Sequence, residues 1–166
     1  NGSVLTLNDV IGKYTQINWY EFYEYGKQSF TSSVWDYLDH YNEMTDADYK
    51  FFDPFYYDFD RDGVKDVIFA NKEYPTIEFF VTKKGNDYYG AIYHGRQAVG
   101  MFSNGIILSE GGIGEARYYR VKVVDGKWVE EELASSDYDY QEEKFTIGGE
   151  TVSRNEFEAW VEENCK

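Results

Sequence analysis

Residues 58 to 66 read Asp-Phe-Asp-Arg-Asp-Gly-Val-Lys-Asp, the segment whose residue types and spacing point most directly to chemistry. Carboxylates alternate at 58, 60 and 62, a glycine follows at 63, and a fourth carboxylate stands at 66. A hard cation such as Ca²⁺ takes about six to eight oxygens at roughly 2.3–2.6 Å, and a tight loop turning at a glycine aims alternating acids at one point. Asp58, Asp60 and Asp62 are the expected side-chain ligands. The Val64 carbonyl is the natural backbone ligand, and Asp66 binds directly or through water. Three acids converging without a cation would repel one another. The alternative is a solvated acidic turn in an acid-rich chain, but random acidity does not place Gly63 and the alternating acids together. Phe69 falls where a helical EF-hand would carry its bidentate Glu, and the flanks 55–57 and 67–69 are β-prone. The loop is therefore expected to join two strands, with a structural Ca²⁺ pinning the junction.

Other chemistry is poorly represented. His40 and His94 are the only histidines, and neither lies in a zinc-binding pattern. Cys165, the one cysteine, is next to the last residue, which excludes an internal disulfide and makes a poor nucleophile. No Gly-x-Ser-x-Gly elbow occurs, and Gly111, Gly112 and Gly114 lack the order of a phosphate-binding or dinucleotide loop, so a mobile turn is the better reading. Glycoside hydrolysis needs two carboxylates about 5–10 Å apart with one kept protonated in a protected pocket. Glu110 and Glu115, flanking the glycine turn near Arg117, are the least arbitrary pair among 31 acids. No catalytic residue is assigned.

The elements that must position the loop follow from periodicity and turn chemistry. The fold class expected is α+β: an antiparallel β-meander with helices near the N-terminus and at the C-terminus, in a single domain spanning 1–166. Residues 1–50 lean helical, with a helix over roughly 33–43 started by Thr31-Ser32-Ser33. Residues 14–23 fit either a strand or an amphipathic helix. Residues 51–147 supply the sheet as short β-prone runs at 55–57, 67–69, 77–81, 88–93 and 105–108. Between Arg117 and Leu133, Asp125-Gly126 makes a type I′ hairpin turn that sets Val123 opposite Trp128, on the core face, and Arg120 opposite Glu131. Gly148-Gly149 makes a second turn. A helix over 153–164 closes the chain, with Ser153 as N-cap, Glu156 completing a capping box, Val152 stapled to Phe157, and Phe157, Trp160 and Val161 as its apolar stripe.

The run 55–68, Phe-Tyr-Tyr-Asp-Phe-Asp-Arg-Asp-Gly-Val-Lys-Asp-Val-Ile, resembles the strand, acidic loop and strand of uncharacterised secreted or lipid-anchored proteins of Gram-positive, often gut-dwelling, bacteria. The same loop type occurs in integrin-like propeller repeats. In the bacterial family a β-meander, a Gly-rich segment, a glycine turn and a short Ser-capped acidic helix follow, the order met here at Gly111-Gly112-Ile113-Gly114 and in residues 148–157. The resemblance covers roughly 51–166. Asp66 stands where that family tends to have Glu, and Arg61 where Gly or Asn is usual. The resemblance implies a cell-envelope or extracellular location and no established activity.

Composition narrows the partners. The 166 residues carry a formal charge of −15, which repels nucleic acid and acidic lipid. The chain is 20% aromatic, against disorder. No apolar run is long enough to span a membrane, and the start Asn1-Gly2-Ser3 reads as a processed product without its leader or anchor. Two surfaces suit a partner. The acidic stretch with Glu130, Glu131, Glu132, Asp137, Asp139, Glu142 and Glu143 would attract a basic protein. Trp19, Tyr20, Phe22, Tyr23 and Tyr25 would stack on a glycan if exposed, although burial in the core is the commoner fate of aromatics. The preferred function is a calcium-stabilised binding module of the bacterial cell envelope. A small carbohydrate-active or hydrolytic enzyme using paired carboxylates, and a purely structural spacer, are the alternatives.

Overall fold

The computed structural model describes residues 5, 9–10, 14–22, 28–37, 52–71, 77–93, 98–111, 114–139 and 142–166. The chain forms two compact units, 1–95 and 96–166, each carrying one six-stranded sheet.

The first unit contains β1 (Ile17–Phe22), β2 (Gln28–Ser32), β3 (Phe52–Tyr57), β4 (Asp66–Asn71), β5 (Ile77–Lys84) and β6 (Asp87–Tyr93), in the spatial order β2-β1-β6-β5-β4-β3. Strands β3 to β6 form the expected antiparallel meander. The aromatic segment that fitted two periods is strand at 17–22, and it pairs parallel to β6. Trp19 explains the choice. Its partner in register is Gly90, where the missing side chain leaves room for the indole ring, since a Cβ there would collide with it. Trp19 Nε1 donates to Ser32 O at 3.2 Å, and its ring meets Tyr37 and Phe79 at 5.3 and 5.6 Å. Around it Leu5, Val10, Val34, Val67, Phe69 and Val81 form one buried cluster. Trp19 therefore belongs to the core, and Tyr20 is half-buried. The Phe22 side chain, Tyr23 and Tyr25 lie outside the described residues. Residues 34–37 are helical, capped by Ser33, whose Oγ accepts from Asp36 N at 3.1 Å. The rest of the expected helix, 38–43, lies outside the described residues.

The second unit is an antiparallel meander of β7 (Ala98–Met101), β8 (Ile107–Glu110), β9 (Ala116–Val124), β10 (Lys127–Asp139), β11 (Glu142–Ile147) and β12 (Glu150–Val152), ending in helix α1 (Arg154–Asn164). The β9–β10 register pairs Val123 with Trp128 and Arg120 with Glu131, as the turn demands. Asp125 and Gly126 both take positive φ, 50° and 72°. The Val/Trp face is half-buried at the turn and fully buried at Val121. A bulge between Glu132 and Ala134 shifts the register, bringing Tyr118 opposite Ala134. Those two residues then pack with Ile106 and Phe157, and with Val152, Trp160 and Val161 of the stapled helix. Ser153 caps α1 and Glu156 answers its backbone N–H at 2.8 Å, completing the capping box. The strand expected at 105–108 begins instead at Ile107. The Gly105 N–H closes a turn on Phe102 O at 2.9 Å, with Gly105 at φ 81°.

Strands dominate both units, so the protein is more nearly all-β than the α+β expectation, and the strands of 51–147 are shared between two sheets. The reason is non-local: Val67, Phe69, Phe79, Val81 and Ile92 bury with N-terminal residues, whereas Tyr118 and Ala134 bury against α1.

Candidate metal centre

The acidic loop links β3 to β4, as its β-prone flanks predicted. Two residues take the left-handed conformation that bends it, Gly63 at φ 87° and Arg61 at φ 60°. Arg61 does so despite its side chain, which explains why Gly or Asn suits that position.

The acids first satisfy the loop's own amides. Asp58 accepts from Asp62 N at 3.0 Å and Gly63 N at 2.9 Å. Asp60 Oδ1 accepts a longer bond from Asp62 N at 3.3 Å, and Asp62 Oδ1 accepts from Val64 N at 2.7 Å. Asp66 Oδ2 reaches back to Phe59 N at 3.1 Å, across the loop's mouth. Phe59 is itself buried against Phe80, ring centroids 4.3 Å apart. The aromatic between the first two acids thus anchors the loop to the sheet.

The carboxylates of Asp58, Asp60 and Asp66 offer oxygens within 4.8 Å of one another, close enough to hold one metal ion. Asp62 stands outside that trio: its Oδ2 meets the Lys84 ammonium, which also lies 2.5 Å from Asp60 Oδ2. Asp66 is completely buried, and its Oδ1 has no hydrogen-bond partner. Such an oxygen, cut off from water, is costly as an anion. Burial pushes the Asp66 carboxyl up to about 8; the Thr82 hydroxyl, near enough to favour the anion but outside hydrogen-bond geometry, and the Phe59 N–H work against this, while Asp60 and Asp62 add to it. Asp60 is also raised, by burial above all, with Lys84 opposing. A divalent cation would give the buried Asp66 oxygen the partner it lacks and could draw on the Asp58 and Asp60 oxygens beside it, so the residues present fit a metal ion.

Thr82 and Lys84 are the participants that sequence reasoning missed. Val67 pairs with Val81 and Ile68 with Phe80, and continuing that register puts Thr82 beside Asp66 and Lys84 beside Val64. Alternation along β5 then turns Phe80, Thr82 and Lys84 to the loop's side. A cavity of about 400 Å³ adjoins the loop, lined by Asp62, Val64, Lys84, Lys83, Tyr88 and Asp9 among others.

Among the described residues, the remaining candidates do not come together in one reactive centre. Glu110 and Glu115 are both exposed, unlike the enclosed acid that glycoside hydrolysis requires. Burial raises the Cys165 thiol, making it a weaker nucleophile. His40 and His94 lie outside the described residues. On the acidic strands, Glu132 is paired with Arg117 at 3.0 Å and Glu143 with Arg154 at 2.9 Å, while Asp137 faces Lys144 across the ladder. Glu131 and Glu142 are exposed, Glu130 is half-buried, and the Asp139 side chain is outside the described residues. No helix among the described residues is long and apolar enough to cross a membrane. Comparison with known proteins finds no matching family model, no similar curated protein and no similar solved structure.

Proposed function

We propose that residues 58–66 bind one Ca²⁺ and that the protein is a calcium-stabilised, non-catalytic binding module of the bacterial cell envelope. The observation that carries the metal is Asp66, fully buried with an unpartnered oxygen beside Asp58 and Asp60. Asp58, Asp60 and Asp66 supply side-chain oxygens, the Val64 carbonyl a backbone oxygen, and Asp62 joins once its contact with Lys84 is released. Calcium is preferred over magnesium because a flexible, oxygen-rich loop suits its variable geometry, whereas Mg²⁺ demands a near-ideal octahedron and keeps its waters. Low-affinity calcium loops, with Kd on the order of 10⁻⁴ to 10⁻³ M, belong to extracellular modules. That expectation and the loop's resemblance to secreted bacterial proteins favour the cell surface.

The partner surface proposed is the exposed part of β10 and β11, with Asp137 and Glu142, which share one face of the ladder, directed at a basic protein patch. The burial of Trp19 weakens the glycan-stacking alternative. Thermal melts of the full chain with calcium and with chelator, repeated on Asp60→Ala, test the metal; a parent protein indifferent to calcium refutes it. Binding to basic proteins should weaken as salt rises. Salt-insensitive binding to an envelope glycan would move the contact to aromatic residues instead.

A further inference from the structure

Lys84 places its ammonium against both Asp60 and Asp62, on the acids that the cation loop offers. The Asp60 side chain is only 1% exposed, so water does little to solvate it, and Lys84 is 27% exposed. Burial opposes the Lys84 charge, yet the two carboxylates outweigh it and keep the amine protonated. An ammonium and a divalent cation cannot use the same Asp60 oxygen at contact distance, because both are positive and each needs the lone pairs directed at it. The backbone of Lys84 is fixed, as the last residue of β5 and paired with Asp87 in the β5–β6 hairpin. Its side chain, beyond that fixed backbone, lines the cavity beside the loop together with Lys83 and Tyr88.

We propose that Lys84 is the loop's internal counter-ion, that calcium exchanges with it, and that this exchange sets the calcium affinity. The inference rests on the calcium reading of residues 58–66. In low calcium the ammonium neutralises Asp60 and Asp62 and keeps the loop closed. When calcium binds, Lys84 releases both acids and turns its amine into the cavity, and Asp62 becomes available to the metal. Part of the metal's binding free energy is spent on that displacement, which weakens the apparent affinity. The neighbouring Lys83 plays no such part, since its ammonium sits over the Tyr88 ring, 5.4 Å from the centroid.

The test measures calcium affinity of the full chain by equilibrium dialysis for the parent, Lys84→Met, Lys84→Arg and Lys83→Met. Lys84→Met should bind calcium at least about tenfold more tightly, whereas Lys84→Arg and Lys83→Met should stay within about threefold of the parent. Independently of any variant, acetylation of Lys84 by a soluble amine-reactive ester, read by peptide mass spectrometry, should accelerate severalfold when calcium is added. Equal affinity of the parent and Lys84→Met, or equal tightening by Lys83→Met, overturns the exchange while leaving the calcium site standing. Lys84 reactivity unchanged by bound calcium overturns it as well. Calcium uptake by Lys84→Met alone supports it, as the extreme case of a loop held by its lysine. Absence of uptake by both the parent and Lys84→Met refutes the calcium reading itself, and the exchange with it.

Discussion

Replacing Asp66 by asparagine separates a metal ligand from a merely structural acid, because the two roles predict opposite signs. In the calcium-free protein the Asp66 carboxyl is pushed up to about 8, chiefly by burial. A raised value means that the folded state holds its proton more tightly than the unfolded chain does. The stabilisation this gives is fully present below the ordinary carboxylate range and is lost as pH rises, completely so above about 8. At pH 7 the unfolded carboxylate is ionised and folding must take up a proton against roughly three pH units, each about 1.4 kcal/mol, so the penalty is on the order of 4 kcal/mol. The substituted amide would not ionise, would keep the acceptor for Phe59 N, and would still bury an N–H₂ group, which returns part of that gain. In chelator at pH 7 to 8, Asp66→Asn should therefore be more stable than the parent by about 2 kcal/mol, or roughly 4–8 °C in a chain of this size. The advantage should shrink towards pH 4. With calcium a hundredfold above Kd the parent gains about 2.7 kcal/mol, the variant gains little, and the order of stability closes or reverses. Differential scanning calorimetry in chelator and in calcium, from pH 4 to 8, measures both arms. A variant less stable than the parent in chelator at pH 8, or one that calcium stabilises as much as the parent, would refute the reasoning.

Two further outcomes follow from the packing. Gly90→Ala should destabilise the first unit by about 1–3 kcal/mol, because the new methyl meets the Trp19 ring; urea unfolding followed by tryptophan fluorescence checks it, and an unchanged midpoint would contradict the pairing of β1 with β6. The Glu156 carboxyl is held below its ordinary value by the Ser153 hydroxyl and backbone N–H, so its contribution is present above the ordinary carboxylate range and lost as pH falls through the lowered value. Glu156→Ala should lower the melting temperature at pH 7 and make little difference at pH 2, read by circular dichroism of the helical signal.

Local chemistry was legible in the chain. The Asp125-Gly126 turn dictated the register from Arg117 to Leu133 as far as the bulge, and the Ser153 box and Phe157 stripe defined α1. Alternating acids before Gly63 located the loop, and three of its four expected acids do converge. What stayed hidden depends on contacts distant in sequence. Trp19 became core because Gly90 faces it from a parallel strand, a pairing that neither segment's periodicity encodes. Lys84 and Thr82 reach the loop through the β4–β5 register, which itself shifts at a bulge between Phe69 and Ala70. The acidic stretch looked uniformly negative in sequence, but Arg117, Lys144 and Arg154 from neighbouring elements interleave with it.

The central claim, a calcium ion held by the 58–66 loop, is tested most directly by equilibrium dialysis of the full chain against radioactive calcium. One ion per chain at saturation is expected, with Kd on the order of 10⁻⁴ to 10⁻³ M, and loss of that ion in Asp60→Ala. No saturable uptake, or uptake that Asp60→Ala leaves unchanged, would contradict it.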